Sequence, residues 1–227
     1  MFLAFYLNHQ LFEDATRLDF AFISSLSLVM TFLVLPLATI FTQRYGVRRT
    51  MSIGIVLETV SLFCASGATQ LWHLFLSEGV LFGLGLGMMS IPTTTVIPQW
   101  CTTKRSLTSG IAVSGAGLGG LVYSRVAQAL IRDLGLAWAF RILAIVAYVI
   151  NVTCVLLLRD RRSLVKVSWT QAAVELSLHK DRSFDLFFGF SWFTIFGYFI
   201  LIFSLASYSI DIGVRPSQAS LVACLFN

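Results

Sequence analysis

Residues 20–49 read FAFISSLSLVMTFLVLPLATIFTQRYGVRR. The first twenty-two of them, 20–41, carry no charge, and three arginines, Arg44, Arg48 and Arg49, follow within the next eight. A hydrocarbon core about 30 Å thick is crossed by roughly 20 helical residues. An uncharged run of that length, closed by a basic cluster, is the pattern of a helix that crosses a membrane and stops at the cytoplasmic face.

The pattern recurs along the chain. Apolar runs at 51–68, 71–97, 107–131, 137–158 and 184–210 join 20–41 as six expected spans. Residues 217–227 begin another and 1–7 match the last turns of one more, so both ends read as cut inside a helix. A helix that stops halfway across hydrocarbon leaves backbone groups unpaired. The expected class is therefore an all-α membrane protein with six full transmembrane helices and two partial ones.

Composition agrees. The 227 residues are 57% hydrophobic and only 12% charged, about half the charge of a soluble domain, which leaves too little polar surface to coat a body of this size. The net charge of +5 does not mark a nucleic-acid binder, because the basic residues sit in short clusters between apolar runs. Eleven of them fall in alternate loops: Arg44, Arg48 and Arg49; Lys104 and Arg105; then Arg159, Arg161, Arg162, Lys166, Lys180 and Arg182. The opposite loops hold only Arg17, Arg132 and Arg215, while Arg125 and Arg141 belong to helices. That asymmetry places the first set in the cytoplasm. The basic stretch 159–183 is the longest connection and marks a boundary between two helical bundles; within it, 168–179 is weakly amphipathic, either a surface helix or a solvated linker.

No catalytic constellation emerges. His9, His73 and His179 are far apart and fall on different sides of the membrane. Cys64, Cys101, Cys154 and Cys224 lack metal-ligand spacing, and no glycine loop with Lys-Ser/Thr is present to cradle a nucleotide. No enzyme, cofactor or metal is expected. The sequon Asn151-Val152-Thr153 lies in mid-span, out of reach of glycosylation.

Polar residues inside the spans carry the functional signal. Glu58 and Glu78 each lie seven residues into an expected helix, roughly 10 Å deep at 1.5 Å per residue. A charge at mid-bilayer costs a few kcal/mol or more, so such groups face a water-filled cavity, find a partner or keep a proton. One reading makes them hydrogen-bonded packing groups; the other makes them part of a substrate or proton pathway. Arg125 either snorkels to the outer interface or faces the pathway as a fixed charge for an anionic substrate. Arg141, by contrast, reads as a structural anchor, and Trp72, His73 and Trp138 as interfacial residues. Pro36, Pro92 and Pro98 are expected to kink or end helices. Gly110, Gly115, Gly117, Gly119 and Gly120, like the run Gly83-Leu84-Gly85-Leu86-Gly87, offer small faces, for static packing or for helices sliding past one another.

Three stretches resemble the major facilitator superfamily, and within it the fungal monocarboxylate-transporter-like (monocarboxylate porter) branch. Gln43-Arg44-Tyr45-Gly46-Val47-Arg48-Arg49 is similar to the superfamily's loop signature. Gln99-Trp100, Lys104-Arg105 and the glycine run 110–120 resemble the branch's fifth-helix pattern. Gly135-Leu136-Ala137-Trp138-Ala139-Phe140-Arg141 resembles the entry to the sixth helix. Where the family signature carries an acidic residue the chain has Gln43; its leading glycine is Thr39 here, and Ala116 stands at a proline position.

The resemblance implies a secondary carrier working by alternating access on a small organic solute, a monocarboxylate among the candidates, with protons as a coupling ion. It implies a cytoplasmic gate loop formed by Gln43, Arg44, Gly46, Arg48, Arg49, Lys104 and Arg105. It implies a multi-pass protein of the plasma membrane whose partners are the lipid bilayer and its substrate, with no nucleic acid. Residues 1–158 would form the N-terminal bundle from the end of family helix one to helix six, 159–183 the cytoplasmic linker, and 184–227 the start of the C-terminal bundle. The chain by itself is then expected to insert without carrying flux. The competing readings are a non-transporting fragment and a seven-helix receptor; the receptor fits less well, because no cysteine lies in an expected outer loop to form a disulfide.

Overall fold

The computed structural model describes residues 17–68, 70–100, 104–158 and 182–211. The expected partial helices at 1–7 and 217–227, most of the 159–183 connection and the side chain of Arg105 lie outside the described residues. Each of the six expected spans is helical: α1 (Arg17–Tyr45), α2 (Val47–Ser66), a composite third helix, α5 (Arg105–Leu134), α6 (Leu136–Leu157) and α7 (Arg182–Asp211). The composite helix begins as one α turn, α3 (Leu71–Leu74), continues as a π-helix, π1 (Phe75–Leu81), and returns to α4 (Phe82–Trp100). Four stretches, Leu18–Tyr45, Val47–Ser66, Leu71–Val96 and Leu136–Leu157, are long and apolar enough to cross a membrane.

The prolines do not break these helices. Pro36 lies inside α1, and α4 runs through Pro92 to Trp100. After Pro92, the hydroxyls of Thr93, Thr94 and Thr95 donate to carbonyls three or four residues back, at 2.7–3.1 Å. Such back-bonding hides a polar side chain within an apolar helix. Ser24, Thr31, Thr39, Thr42 and Thr59 do the same.

The described residues divide into two compact units, one formed within 17–111 and 127–158, the other within 112–126 and 182–211. In the first, α4 lies against both α1 and α2, and α2 also packs along α6. Two apolar clusters pin this unit at its ends. Phe20, Ile23, Ala65, Leu74 and Phe140 gather where α1, α3 and α6 begin and α2 ends. Val47, Met51, Ile55 and Val155 gather at the opposite end, with Met89 and Val96 packed against them. The second cluster lies at the end that carries Arg44, Arg48 and Arg49, the side expected to be cytoplasmic.

α1 and α2 are joined by Gly46 alone, at φ 88 and ψ 162, and α5 and α6 by Gly135 alone, at φ 83 and ψ 169. This region of backbone space is essentially restricted to glycine, which explains both residues. In the second unit α7 carries Phe188, Trp192 and Phe196 four residues apart, with successive ring centroids at 6.4 and 5.5 Å.

Candidate functional site

The middle of the first unit is built on missing side chains. A methyl group built on Gly85 would lie 2.9 Å from the Glu58 amide nitrogen and 3.0 Å from the Gly54 carbonyl oxygen. Backbone therefore meets backbone where α4 crosses α2. On its other side the composite helix turns Gly79, Gly83 and Gly87 to α1, where added methyls would press on Leu26, on Met30 and the Ser27 carbonyl, and on the Thr31 carbonyl. Thr31 Oγ1 donates to the Gly83 carbonyl at 3.1 Å and ties the two helices at that level.

Glu58 sits beside this crossing. Its backbone faces α4, while Oε2 of its half-buried carboxyl accepts a hydrogen bond from Asn151 Nδ2 on α6 at 3.2 Å. Among the described residues no Lys, Arg or His pairs with it. One turn along α2, Ser61 is fully buried and its Oγ donates to the Ser77 carbonyl at 2.9 Å. That carbonyl also takes the Phe82 amide across the wide π turn, and Ser77 Oγ donates to the His73 carbonyl at 2.7 Å. Glu78 follows directly within π1. π segments recur at functional sites. Here the Ser77 carbonyl accepts a second hydrogen bond, from Ser61, which ties α2 to π1.

The residues of the expected cytoplasmic gate loop divide. Arg48 Nε donates to the Leu158 carbonyl at 2.7 Å, and Nη2 to the Leu156 carbonyl at 3.3 Å. A cation thus covers the negative end of α6. Gln43, Arg44 and Arg49 are exposed, and the Arg44 guanidinium lies 5.7 Å from the Tyr45 ring centroid. Lys104 is exposed at the N-cap of α5. At the other end Arg141 Nε donates to Ser66 Oγ at 3.2 Å, and its guanidinium stands 5.2 Å from the Trp138 centroid. The pair α2–α6 is consequently tied at three levels, by Arg48, by Glu58–Asn151 and by Arg141.

Arg125 is exposed on α5. Methyls at Gly110, Gly115, Gly117, Gly119 and Gly120 meet no described atom within 4 Å. The structure thus brings Glu58 to a partner and places Glu78 in a π turn. Ser61, Ser77 and Gly79 carry no signal in the sequence beyond being polar or small in a span, and Asn151 stood out only as part of a sequon.

The family description "Major Facilitator Superfamily" matches residues 1–226. The chain is 30% identical to "Probable transporter MCH2" of Saccharomyces cerevisiae over 99% of its own length and 48% of that protein. It is 28% identical to "Uncharacterized transporter ESBP6" of the same yeast, over 99% of the chain and 35% of that protein. It is 25% identical to human "Monocarboxylate transporter 12" over 96% of the chain and 48% of that protein. The chain spans about half the length, or less, of these curated relatives.

Proposed function

The chain belongs to the major facilitator superfamily, and from that premise we propose that it supplies the first bundle and the start of the second in a secondary carrier for a small organic solute. In this reading residues 1–158 form the N-terminal bundle, 159–183 the cytoplasmic linker and 184–227 the beginning of the C-terminal bundle. The carrier works by alternating access, the two bundles rocking around a site between them. The substrate is a small organic acid, in line with the printed name of the human relative, and protons are the coupling ion. The membrane is the plasma membrane.

The observation that carries this reading is the polar level inside an apolar unit: Glu58 hydrogen-bonded to Asn151 in mid-span, and Glu78 in the π turn beside the bond from Ser61. Intramembrane carboxyls are costly and mark solute or proton routes. Glu58 and Glu78 are assigned to the proton pathway and Arg125 to the anion. Gln43, Arg44, Gly46, Arg48, Arg49, Lys104 and Arg105 form the cytoplasmic gate loop, and the α5 glycines form a sliding face. Cells expressing the whole gene should take up radiolabelled lactate or a related acid saturably, with competition by unlabelled acid. Uptake equal to that of empty-vector cells across a panel of small organic acids overturns the proposal.

A further inference from the structure

Resting on the reading of Glu58 as a proton-pathway group, we propose that Asn151 is the positioning residue of that site: its amide keeps Glu58 hydrogen-bonded to α6 both when the carboxyl carries a proton and when it has released one. The chemistry of the partner is the ground. An arginine or lysine only donates, so it favours the carboxylate and cannot accept the O–H of the acid. A side-chain amide presents an NH2 donor on one side and a carbonyl acceptor on the other. It can donate to a carboxylate and, turned over, accept from a carboxylic acid.

Elsewhere this unit does use arginine to hold helices, and it does so at the ends, where water is near: Arg48 on the α6 carbonyls and Arg141 on Ser66. At mid-span the partner changes to an amide. Packing does not require it, because α2 and α6 are already held by the two arginines and share an apolar cluster at each end. The Glu58 backbone is fixed by Gly85 against it, so protonation can act only through the side chain. On α6 the ionisable residues nearest Asn151 in sequence are Tyr148 and Cys154, and on π1 there is Glu78; among the described residues none pairs with Glu58, and Gly85 of α4 lies against its backbone.

The test reads the carboxyl itself, so a failure of the transport assay leaves it decidable. A protonated carboxyl in apolar surroundings adds its O–H across a C=N bond of N,N′-dicyclohexylcarbodiimide, the proton going to nitrogen, and the O-acylisourea so formed rearranges by O-to-N acyl migration to a stable N-acylurea, needing no other reactant. The purified chain in lipid nanodiscs is treated between about pH 5 and 9, the range over which exposed carboxyls are ionised, and the Glu58 peptide is quantified by mass spectrometry. Glu58 should be labelled, with an extent that falls across this range, and Glu58→Gln should remove the label. Because an amide bonds a carboxylate more strongly than a carboxylic acid, Asn151→Leu should raise the extent at neutral pH, by about fivefold for a difference of about 1 kcal/mol. Asn151→Gln, which restores an amide, should return it to within about twofold of wild type. Absence of label on Glu58 in the wild-type chain at every pH overturns the proposal and needs no variant to fold. Labelling of Asn151→Leu equal to that of wild type overturns it as well.

Discussion

At the scale of single residues, glycine acts here in two unlike ways. Gly85 lets two backbones touch, so Gly85→Ala forces a methyl to within 2.9 Å of the Glu58 nitrogen. Neither backbone can give way easily, and the expected loss is about 1–3 kcal/mol. Gly117 faces open space among the described residues, and Gly117→Ala should be neutral or should stabilise α5 by up to about 1 kcal/mol. Thermal unfolding in detergent decides between them: a lowered midpoint for the first and an unchanged or raised one for the second. Equal destabilisation would show that the α5 glycines are packed as tightly as those of α4. The arginines give a second contrast. Arg132 bonds Asp133 at 2.8 Å, but both side chains are mostly exposed, at 79% and 58%, and such a pair is worth little. If Arg125 holds the anionic substrate, Arg125→Ala should cut anion uptake at least about tenfold, about 1.4 kcal/mol, while Arg132→Ala leaves it nearly unchanged. Small, equal effects assign Arg125 to the interface.

At the scale of elements, the helices were legible and their partners were not. A mostly apolar run of about twenty residues announces a span because hydrocarbon thickness demands it, and the six runs located six helices. Small residues four apart announce only that a close approach is allowed, not what approaches. The longest such run, on α5, meets nothing within 4 Å, whereas Gly79, standing apart from the noticed glycines, meets Leu26. The π segment left no trace in the sequence, since Phe75–Leu81 has the composition of any buried turn. Asn151 read as an idle sequon because its partner lies 93 residues away. The clasp on α6 tests this level. Arg48→Ala removes both donors to the last carbonyls of that helix, at a cost of about 1–3 kcal/mol. Amide hydrogen exchange should accelerate over 154–158, while Arg44→Ala leaves it unchanged. Unaltered exchange in the Arg48 variant would falsify the clasp.

At the scale of the whole molecule, the distribution of charge predicts which end of the bundle is inside. Single cysteines in place of Arg49 and Lys104, both exposed, should react with an impermeant maleimide only from the cytoplasmic side; labelling of either in intact cells inverts the topology. Neighbouring Thr50 is unsuited to this use, being fully buried with its hydroxyl bonded to the Gly46 carbonyl at 3.1 Å. The Gly46 joint has a mechanical consequence as well. One residue supplies only two soft torsions, and both are braced, because the Gly46 amide donates to the Thr42 carbonyl at 3.0 Å and its own carbonyl takes the Thr50 amide at 3.3 Å. α1 and α2 are therefore a single kinematic link with no backlash: a tilt imposed on one rod reaches the other undiminished, and an inserted residue here cannot be absorbed as slack.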